Sequence, residues 1–126
     1  MIIFKDHSDA VVDICYNPAG NKLAAASADS TGRIYDIIDQ DQETQILVGH
    51  TQGLSRILFN SSGTKVLTAS EDGQAKLWAT NDGEELQSLE GHTDEIFSIC
   101  FNYDSDKIVT ASKDNTCILW TDELSQ

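Results

Sequence analysis

A repeat of 42 to 43 residues is the feature that most constrains the fold of this chain. Asn17, Asn60 and Asn102 each follow an apolar run and open a short turn segment, and they stand 43 and then 42 residues apart. Four further sets keep the same two steps: His7, His50 and His92; Ser27, Ser70 and Ser112; Asp29, Asp72 and Asp114; Tyr35, Trp78 and Trp120. One shared offset in so many columns predicts three copies of a single structural unit.

Each repeat has the pattern of short strands separated by turns, without a helix. The run after each His has apolar residues at both odd and even positions. Because successive residues of a strand point to opposite faces, this pattern predicts a first strand that is buried on both faces. These first strands are Val11–Tyr16, Leu54–Phe59 and Ile96–Phe101. The second strands are Lys22–Ser27, Lys65–Ser70 and Lys107–Ser112, and the third strands end at Tyr35, Trp78 and Trp120. A more polar fourth strand is expected at Glu43–Val48 and Glu84–Leu89.

The motifs of the second and third repeats resemble those of the WD-repeat family. They read Gly49-His50, Ser70-Glu71-Asp72 and Leu77-Trp78, then Gly91-His92, Ser112-Lys113-Asp114 and Leu119-Trp120. The first repeat departs from the pattern, because Asp6 precedes His7 and Tyr35 replaces the Trp. The resemblance implies an all-β fold of three propeller blades, each with four antiparallel strands.

The whole chain, 1–126, is predicted to be one WD-repeat segment. Its parts are an outer strand at 1–5, repeat 1 at 6–48, repeat 2 at 49–90 and repeat 3 at 91–126. The third repeat has little room for a fourth strand, so the N-terminal strand is expected to complete the last blade. Closed propellers use about 4–8 blades, so three blades form an incomplete ring. Three arrangements stay open: a homodimer closing a six-bladed ring, a piece of a longer propeller, or blades supplied by another protein.

Ser, His and Asp together raise the alternative of a hydrolase, which needs one nucleophilic site. The same set here occurs three times, each at a fixed distance from an aromatic residue, which favours a structural role. The resemblance implies hydrogen-bonded sets within the blades, formed by His7, Ser27, Asp29, Tyr35, His50, Ser70, Asp72, Trp78, His92, Ser112, Asp114 and Trp120. We predict no catalytic residue, cofactor or metal site, since Cys15, Cys100 and Cys117 lack metal-ligand spacing. Cys15 and Cys100 are expected to be small buried hydrophobes.

A narrower resemblance links the chain to the C-terminal three repeats of the dynein assembly factor with WD repeats. It is strongest in the third repeat, at His92-Thr93-Asp94-Glu95-Ile96-Phe97-Ser98, Phe101-Asn102-Tyr103 and Ser112-Lys113-Asp114-Asn115-Thr116-Cys117. Ala26-Ser27-Ala28-Asp29 and Leu89-Glu90-Gly91-His92 are similar to the neighbouring repeats, in the same order. The resemblance implies a non-enzymatic adaptor that carries outer-arm dynein into cilia or flagella by intraflagellar transport. Its partners would be axonemal dynein and transport subunits, in the cytoplasm and the cilium or its base. The alternative is a WD-repeat scaffold of another cytoplasmic or nuclear complex, such as a substrate receptor or a ribosome or RNA-processing subunit.

The net charge of −13 disfavours a nucleic-acid or anionic-membrane partner, because both need clustered Lys and Arg. Protein partners are therefore expected. By resemblance to the family, partners dock where the chain enters the first strand and at the tight Asp turn. The candidate partner-binding residues are Glu95, Phe97, Lys113, Glu71, Ser55 and Val12. Repeat 3 is the richest of the three, since Phe97 lies between opposite charges.

Overall fold

The computed structural model describes residues 1–39 and 42–121, which form eleven strands in three antiparallel sheets and no helix. The first sheet, blade 1, contains β1 (Val11–Tyr16), β2 (Lys22–Ser27), β3 (Gly32–Asp36) and β4 (Gln45–Leu47). Blade 2 contains β5 (Leu54–Phe59), β6 (Lys65–Ser70), β7 (Gln74–Ala79) and β8 (Glu85–Glu90). Blade 3 contains β9 (Ile96–Phe101), β10 (Ile108–Ser112) and β11 (Cys117–Trp120). The predicted all-β fold of blade-like sheets is confirmed, and the three blades do not close into a ring.

The strands of each blade are paired in chain order, from the inner first strand outward. A tight turn joins the second strand to the third, and it contains one residue with positive φ in every blade. These residues are Ser30 (75°), Gly73 (84°) and Asn115 (73°). Gly and Asn adopt this left-handed conformation at the lowest cost, which explains the small or amide side chains at this position.

Alternating side chains of adjacent blades pack into two apolar clusters. The first joins blades 1 and 2 and contains Ala24, Ala26, Ile34, Leu47, Leu54, Ile57, Phe59, Val66 and Trp78. The second joins blades 2 and 3 and contains Leu67, Ala69, Ala75, Leu77, Leu89, Ile96, Ile99, Ile108 and Trp120. Among the residues that the structure describes, blade 2 therefore has both faces covered, whereas blades 1 and 3 each have one face open.

The inner strands of the outer blades are less buried than their apolar sequences predict. Ile14 on β1 is 61% exposed, while the equivalent Ile57 on β5 is 2% exposed. Cys15 is half-buried, but Cys100 is exposed, which corrects the expectation that both are buried. The physical reason is that burial on both faces needs a blade on each side, and within residues 1–39 and 42–121 the main packing contacts of blade 3 are with blade 2.

The expected outer strand at 1–5 does not form within the single chain. Residues 1–7 have no strand pairing, and Phe4 instead stacks on Tyr35 of blade 1 with ring centroids 4.2 Å apart. β11 is consequently an edge strand among the described residues, and blade 3 has three strands there instead of four. The N-terminal segment and β11 belong to the two ends of the arc, so one cannot pair with the other in one open chain. The tail at 122–126, where little room for a strand was expected, lies outside the described residues.

Candidate functional site

Blade 2 contains a connected set of polar side chains beneath its outer surface. Nδ1 of His50 lies 3.0 Å from Oδ2 of Asp72, and Nε2 of His50 lies 2.7 Å from Oγ1 of Thr68. Nε1 of Trp78 donates a hydrogen bond to the same Thr68 oxygen at 2.9 Å. Ser70 joins the set from the other side, since its Oγ accepts a hydrogen bond from the backbone N–H of Asp72 at 3.1 Å. The threonine is the member that sequence reasoning missed.

The proton positions in this set follow from the chemistry of its members. Burial alone would raise the pKa of Asp72, but backbone N–H groups of Thr51 and Gln74 and the His50 ring together lower it. Burial lowers the pKa of His50, so the ring is neutral near pH 7. Because an ionised carboxylate only accepts, Nδ1 of His50 carries the proton and Nε2 accepts from the Thr68 hydroxyl. The three hydrogen bonds therefore form a chain with one direction: Trp78 donates to Thr68, Thr68 donates to His50, and His50 donates to Asp72.

Blade 3 repeats this arrangement with the same geometry. His92 lies 2.9 Å from Asp114 and 2.7 Å from Thr110, and Nε1 of Trp120 donates to Thr110 at 3.0 Å. Ser112 Oγ again accepts from the Asp114 backbone N–H. The resemblance to blade 2 shows that the threonine column belongs to the set wherever a Trp is present.

Blade 1 retains only part of the set. His7 lies 2.9 Å from Asp29, and Ser27 Oγ accepts from the Asp29 N–H, as in the other blades. Ala25, however, stands in the threonine column, and Nε2 of His7 is buried without a hydrogen-bond partner among the described residues. A cavity of about 160 Å³ lies beside it, lined in part by Ala25 and Tyr35. Tyr35 is therefore not joined to His7 in the way that Trp78 is joined to His50.

The serines do not have the geometry of a hydrolytic nucleophile. Oγ of Ser70 donates toward the carbonyl oxygens of Gln52 and Gly53, and the residue is fully buried. His50 contacts Thr68 and Asp72 instead of this hydroxyl, whereas a nucleophile needs a base within hydrogen-bond reach. In residues 1–39 and 42–121 there is also no cluster of three or more His, Cys, Asp or Glu side chains able to hold a metal ion.

Three of the candidate partner-binding residues share an unusual backbone feature. The pairing register of the inner strand skips one residue in each blade, between Val11 and Asp13, between Leu54 and Arg56, and between Ile96 and Ser98. The skipped residues are Val12, Ser55 and Phe97. A β-bulge leaves its extra residue out of the ladder and redirects its side chain. The bulges therefore place one side chain per blade at the same height on the inner edge.

A cavity of about 310 Å³ lies at this edge, and it is lined by Val12, Leu54, Ser55, Arg56, Glu71, Glu95 and Phe97. Five of the six candidate residues thus meet in one place. The sixth, Lys113, is tied to it, since its Nζ lies 3.1 Å from Oε1 of Glu95 and its backbone N–H donates to the Glu95 carbonyl. The ion pair with Glu95 raises the pKa of Lys113. We call these six residues, Val12, Ser55, Glu71, Glu95, Phe97 and Lys113, the rim surface.

The family model for the WD domain, G-beta repeat, matches residues 1–36, 41–79 and 83–121. The chain belongs to the WD-repeat family. Among its relatives are WD repeat-containing protein RUP2 of Arabidopsis thaliana, 39% identical over 59% of this chain, and F-box-like/WD repeat-containing protein TBL1X of Mus musculus, 30% identical over 64%. Human DDB1- and CUL4-associated factor 13 is 27% identical over 68% of the chain.

The WD-repeat chain spans only 20%, 18% and 19% of the length of these three relatives, respectively. None of the three is a dynein assembly factor. The structure also contains no helix in its described ranges that is long and apolar enough to cross a lipid bilayer.

Proposed function

We propose that this WD-repeat chain is a non-enzymatic scaffold that binds a protein segment at the rim surface. The observation that carries the proposal is the set of three aligned bulges. They direct Val12, Ser55 and Phe97 out of the sheet ladder beside a cavity lined by charged and apolar groups. The polar sets of the blades, by contrast, are engaged in internal hydrogen bonds and offer little to a substrate.

The rim surface favours a partner segment that combines an apolar side chain with a basic one. Phe97 and Val12 are 45% and 44% exposed, which is ample contact area for an apolar anchor. The carboxylate of Glu71 forms no ion pair within the described part of the chain, whereas Glu95 is neutralised by Lys113. A Lys or Arg of the partner would find its counter-charge at Glu71, and the net charge of −13 would favour its approach.

Two kinds of complex compete as the setting for this scaffold. The relative named DDB1- and CUL4-associated factor 13 supports the alternative drawn from sequence, a substrate receptor or subunit of another cytoplasmic or nuclear complex. The dynein-adaptor function in cilia is supported only by the sequence resemblance of the three repeats, which is strongest in the third. We therefore favour membership of a receptor-type complex and retain the dynein adaptor as the second candidate.

The test is affinity capture with the full chain and quantitative mass spectrometry. The variant combines Phe97→Ser with Glu71→Lys, which removes the apolar anchor and reverses the charge of the rim surface. The matched control combines Tyr103→Ser with Asp104→Lys, because Tyr103 is 96% exposed in the turn between β9 and β10, away from the rim surface. Proteins lost with the rim variant and retained with the control are the expected partners.

The identity of the lost proteins separates the two settings. DDB1, CUL4 or subunits of another cytoplasmic or nuclear complex support the first candidate, and dynein or transport subunits support the second. Equal recovery of every captured protein by the wild type and the rim variant would show that the rim surface is not the binding site.

A further inference from the structure

The residues on the open faces of blades 1 and 3 occupy the same positions of the repeat as the residues that join neighbouring blades inside the chain. We call each set of equivalent repeat positions a column. Val11, Ile14, Tyr16 and Leu23 on blade 1 are equivalent to Leu54, Ile57, Phe59 and Val66, which blade 2 packs against blade 1. Val109, Ala111, Cys117 and Leu119 on blade 3 are equivalent to Leu67, Ala69, Ala75 and Leu77, which blade 2 packs against blade 3. The two open faces are therefore the two halves of one interface that the chain already forms twice.

The apolar side chains in these columns are exposed on the open faces and buried where two blades pack together. Leu119 is 59% exposed on blade 3, whereas Leu77 in the same column of blade 2 is 1% exposed. Tyr16 is 65% exposed on blade 1, while its equivalent Phe59 is 8% exposed. The eight columns contain no Asp, Glu, Lys or Arg at either open face. Apolar faces of this kind are covered in folded assemblies or cause aggregation.

Phe4 in the N-terminal segment occupies the same repeat position as one leucine in the outer strand of blade 1 and one in the outer strand of blade 2. Phe4 stands 43 residues before Leu47, which in turn stands 42 residues before Leu89, and both leucines are in the outer strands. Leu47 and Leu89 pack in the clusters of Trp78 and Trp120, and Phe4 stacks on Tyr35, which occupies the same position.

From this register we infer that a second copy of the chain closes the arc head to tail into a six-bladed ring. The open face of blade 1 in one copy covers the open face of blade 3 in the other, at two identical seams. At each seam the N-terminal segment of one copy pairs with β11 of the other and becomes the fourth strand of its blade 3. This inference is independent of the proposed function, since the seam columns and the rim surface share no residue.

A second copy is favoured over an unrelated protein because both halves of the seam are on the same chain and in the same register. A head-to-tail contact generates either a closed ring or an open filament. Two copies of three blades give six, which lies within the range of closed propellers, about 4–8 blades. Closure at two copies also removes the exposed edge of β11, which is a hazard in an isolated sheet.

The register predicts which residues face each other across the seam. Leu47 pairs with Gly32 in blade 1, and Leu89 pairs with Ala75 in blade 2. The corresponding pair at the seam is Phe4 of one copy with Cys117 of the other. A Cβ built on Gly32 would lie 3.5 Å from the Cβ of Leu47, and disulfides need a Cβ separation of about 3.5–4.5 Å. A cysteine at position 4 would therefore be placed to form a disulfide with Cys117 of the second copy.

The cross-linking test uses the full chain with Cys100→Ser to remove another exposed thiol. Phe4→Cys is compared with Ile3→Cys, because neighbouring strand residues point to opposite faces. Under mild oxidation the first variant is expected to give a covalent dimer, with the disulfide mapped between position 4 and Cys117 of different copies. Adding Cys117→Ser should abolish it. Absence of this cross-link, or equal cross-linking by Ile3→Cys, would overturn the inference.

The mass in solution gives a second test that needs no disulfide. The native chain is expected at twice its 13.8 kDa mass by light scattering. Leu119→Asp should give the single-chain mass with an unchanged circular dichroism spectrum, since this side chain is exposed in the single chain. Leu86→Asp, at an exposed leucine outside the seam columns, should remain a dimer. A native chain that is a monomer, or that forms assemblies larger than two copies, would contradict closure by two copies.

Discussion

Thr68 lies between two ring systems, with its Oγ1 2.7 Å from Nε2 of His50 and 2.9 Å from Nε1 of Trp78. All three residues are buried, so neither ring can replace this contact with water. One hydroxyl in the second strand therefore connects the His50 side chain, which precedes the first strand, to the Trp78 side chain near the end of the third.

Replacing this hydroxyl should destabilise the protein. Thr68→Val keeps the shape of the side chain but leaves the Trp78 N–H without its acceptor and Nε2 of His50 without its donor. We expect the free energy of unfolding to fall by about 1–3 kcal/mol, the usual effect of leaving a buried polar group unpaired. Urea unfolding measures this. Thr64→Val is the control, since Thr64 bonds polar side chains in a turn near the surface, and equal losses for both variants would argue against the role of Thr68.

The opposite substitution in blade 1 should be stabilising. Ala25→Thr would offer a hydroxyl to the buried Nε2 of His7, in the way that Thr68 and Thr110 of the same column contact His50 and His92. One net hydrogen bond corresponds to a gain of roughly 0.5–1.5 kcal/mol. Ala25→Val adds similar volume without the hydroxyl and separates cavity filling from hydrogen bonding. No difference between the two variants in thermal unfolding would show that His7 gains nothing from the hydroxyl.

Acid should destabilise the fold in two steps that follow from the lowered pKa values of His50 and Asp72. Because the pKa of His50 is lower in the folded state, the unfolded chain takes up its proton first as the pH falls below about 6.5. Stability from the neutral ring is thus complete above that pH and is lost as the pH falls toward the folded value. Asp72 adds a second loss below about pH 4, where its carboxylate is protonated first in the unfolded chain.

Urea midpoints measured between pH 8 and pH 3 test this expectation. A His50→Gln variant should be less stable at neutral pH and should lose the part of the slope that lies near pH 6. If the wild type and this variant have the same slope there, His50 does not account for the pH dependence.

Gly73 combines a left-handed backbone with a close contact to the next blade. Its φ is +84°, and a Cβ would lie 3.0 Å from the carbonyl oxygen of His92. Gly20 has a similar φ of +75° but nothing within 4 Å of a Cβ. Gly20→Ala should cost about 1–2 kcal/mol from backbone strain alone, and Gly73→Ala should cost more. If Gly20→Ala and Gly73→Ala lower the free energy of unfolding equally in urea, the His92 carbonyl moves away from the new Cβ without a measurable cost.

The repeat made most of the fold predictable. Five strands, β1, β2, β5, β6 and β9, have the bounds expected from sequence, because three registered copies mark each strand by its flanking turns. β10 starts one residue later than expected, at Ile108, after a turn whose register is set by Asn102. Burial was less predictable, since it depends on the blade beyond the strand and not on the strand itself.

The polar sets were only partly predictable for a physical reason. The column of Thr68 reads Ala in repeat 1 and Thr in repeats 2 and 3, and it lies in the middle of an apolar strand. A threonine there is equally typical of ordinary β-strand packing, so its hydroxyl gave no sign of a role. Only the geometry shows that it lies between His50 and Trp78.

Because of the bulges, Val12, Ser55 and Phe97 take no part in strand pairing and do not point into the core. A residue outside the ladder does not continue the strand pairing, so the side chains of Val12 and Phe97 can change without altering the sheet, whereas the Ser55 hydroxyl donates to the Ile96 carbonyl of the next blade. The chain itself shows this freedom, since one column holds an aliphatic, a hydroxyl and an aromatic side chain on otherwise similar strands. New binding preferences could therefore evolve at Val12 and Phe97, or be designed there, at little cost to folding.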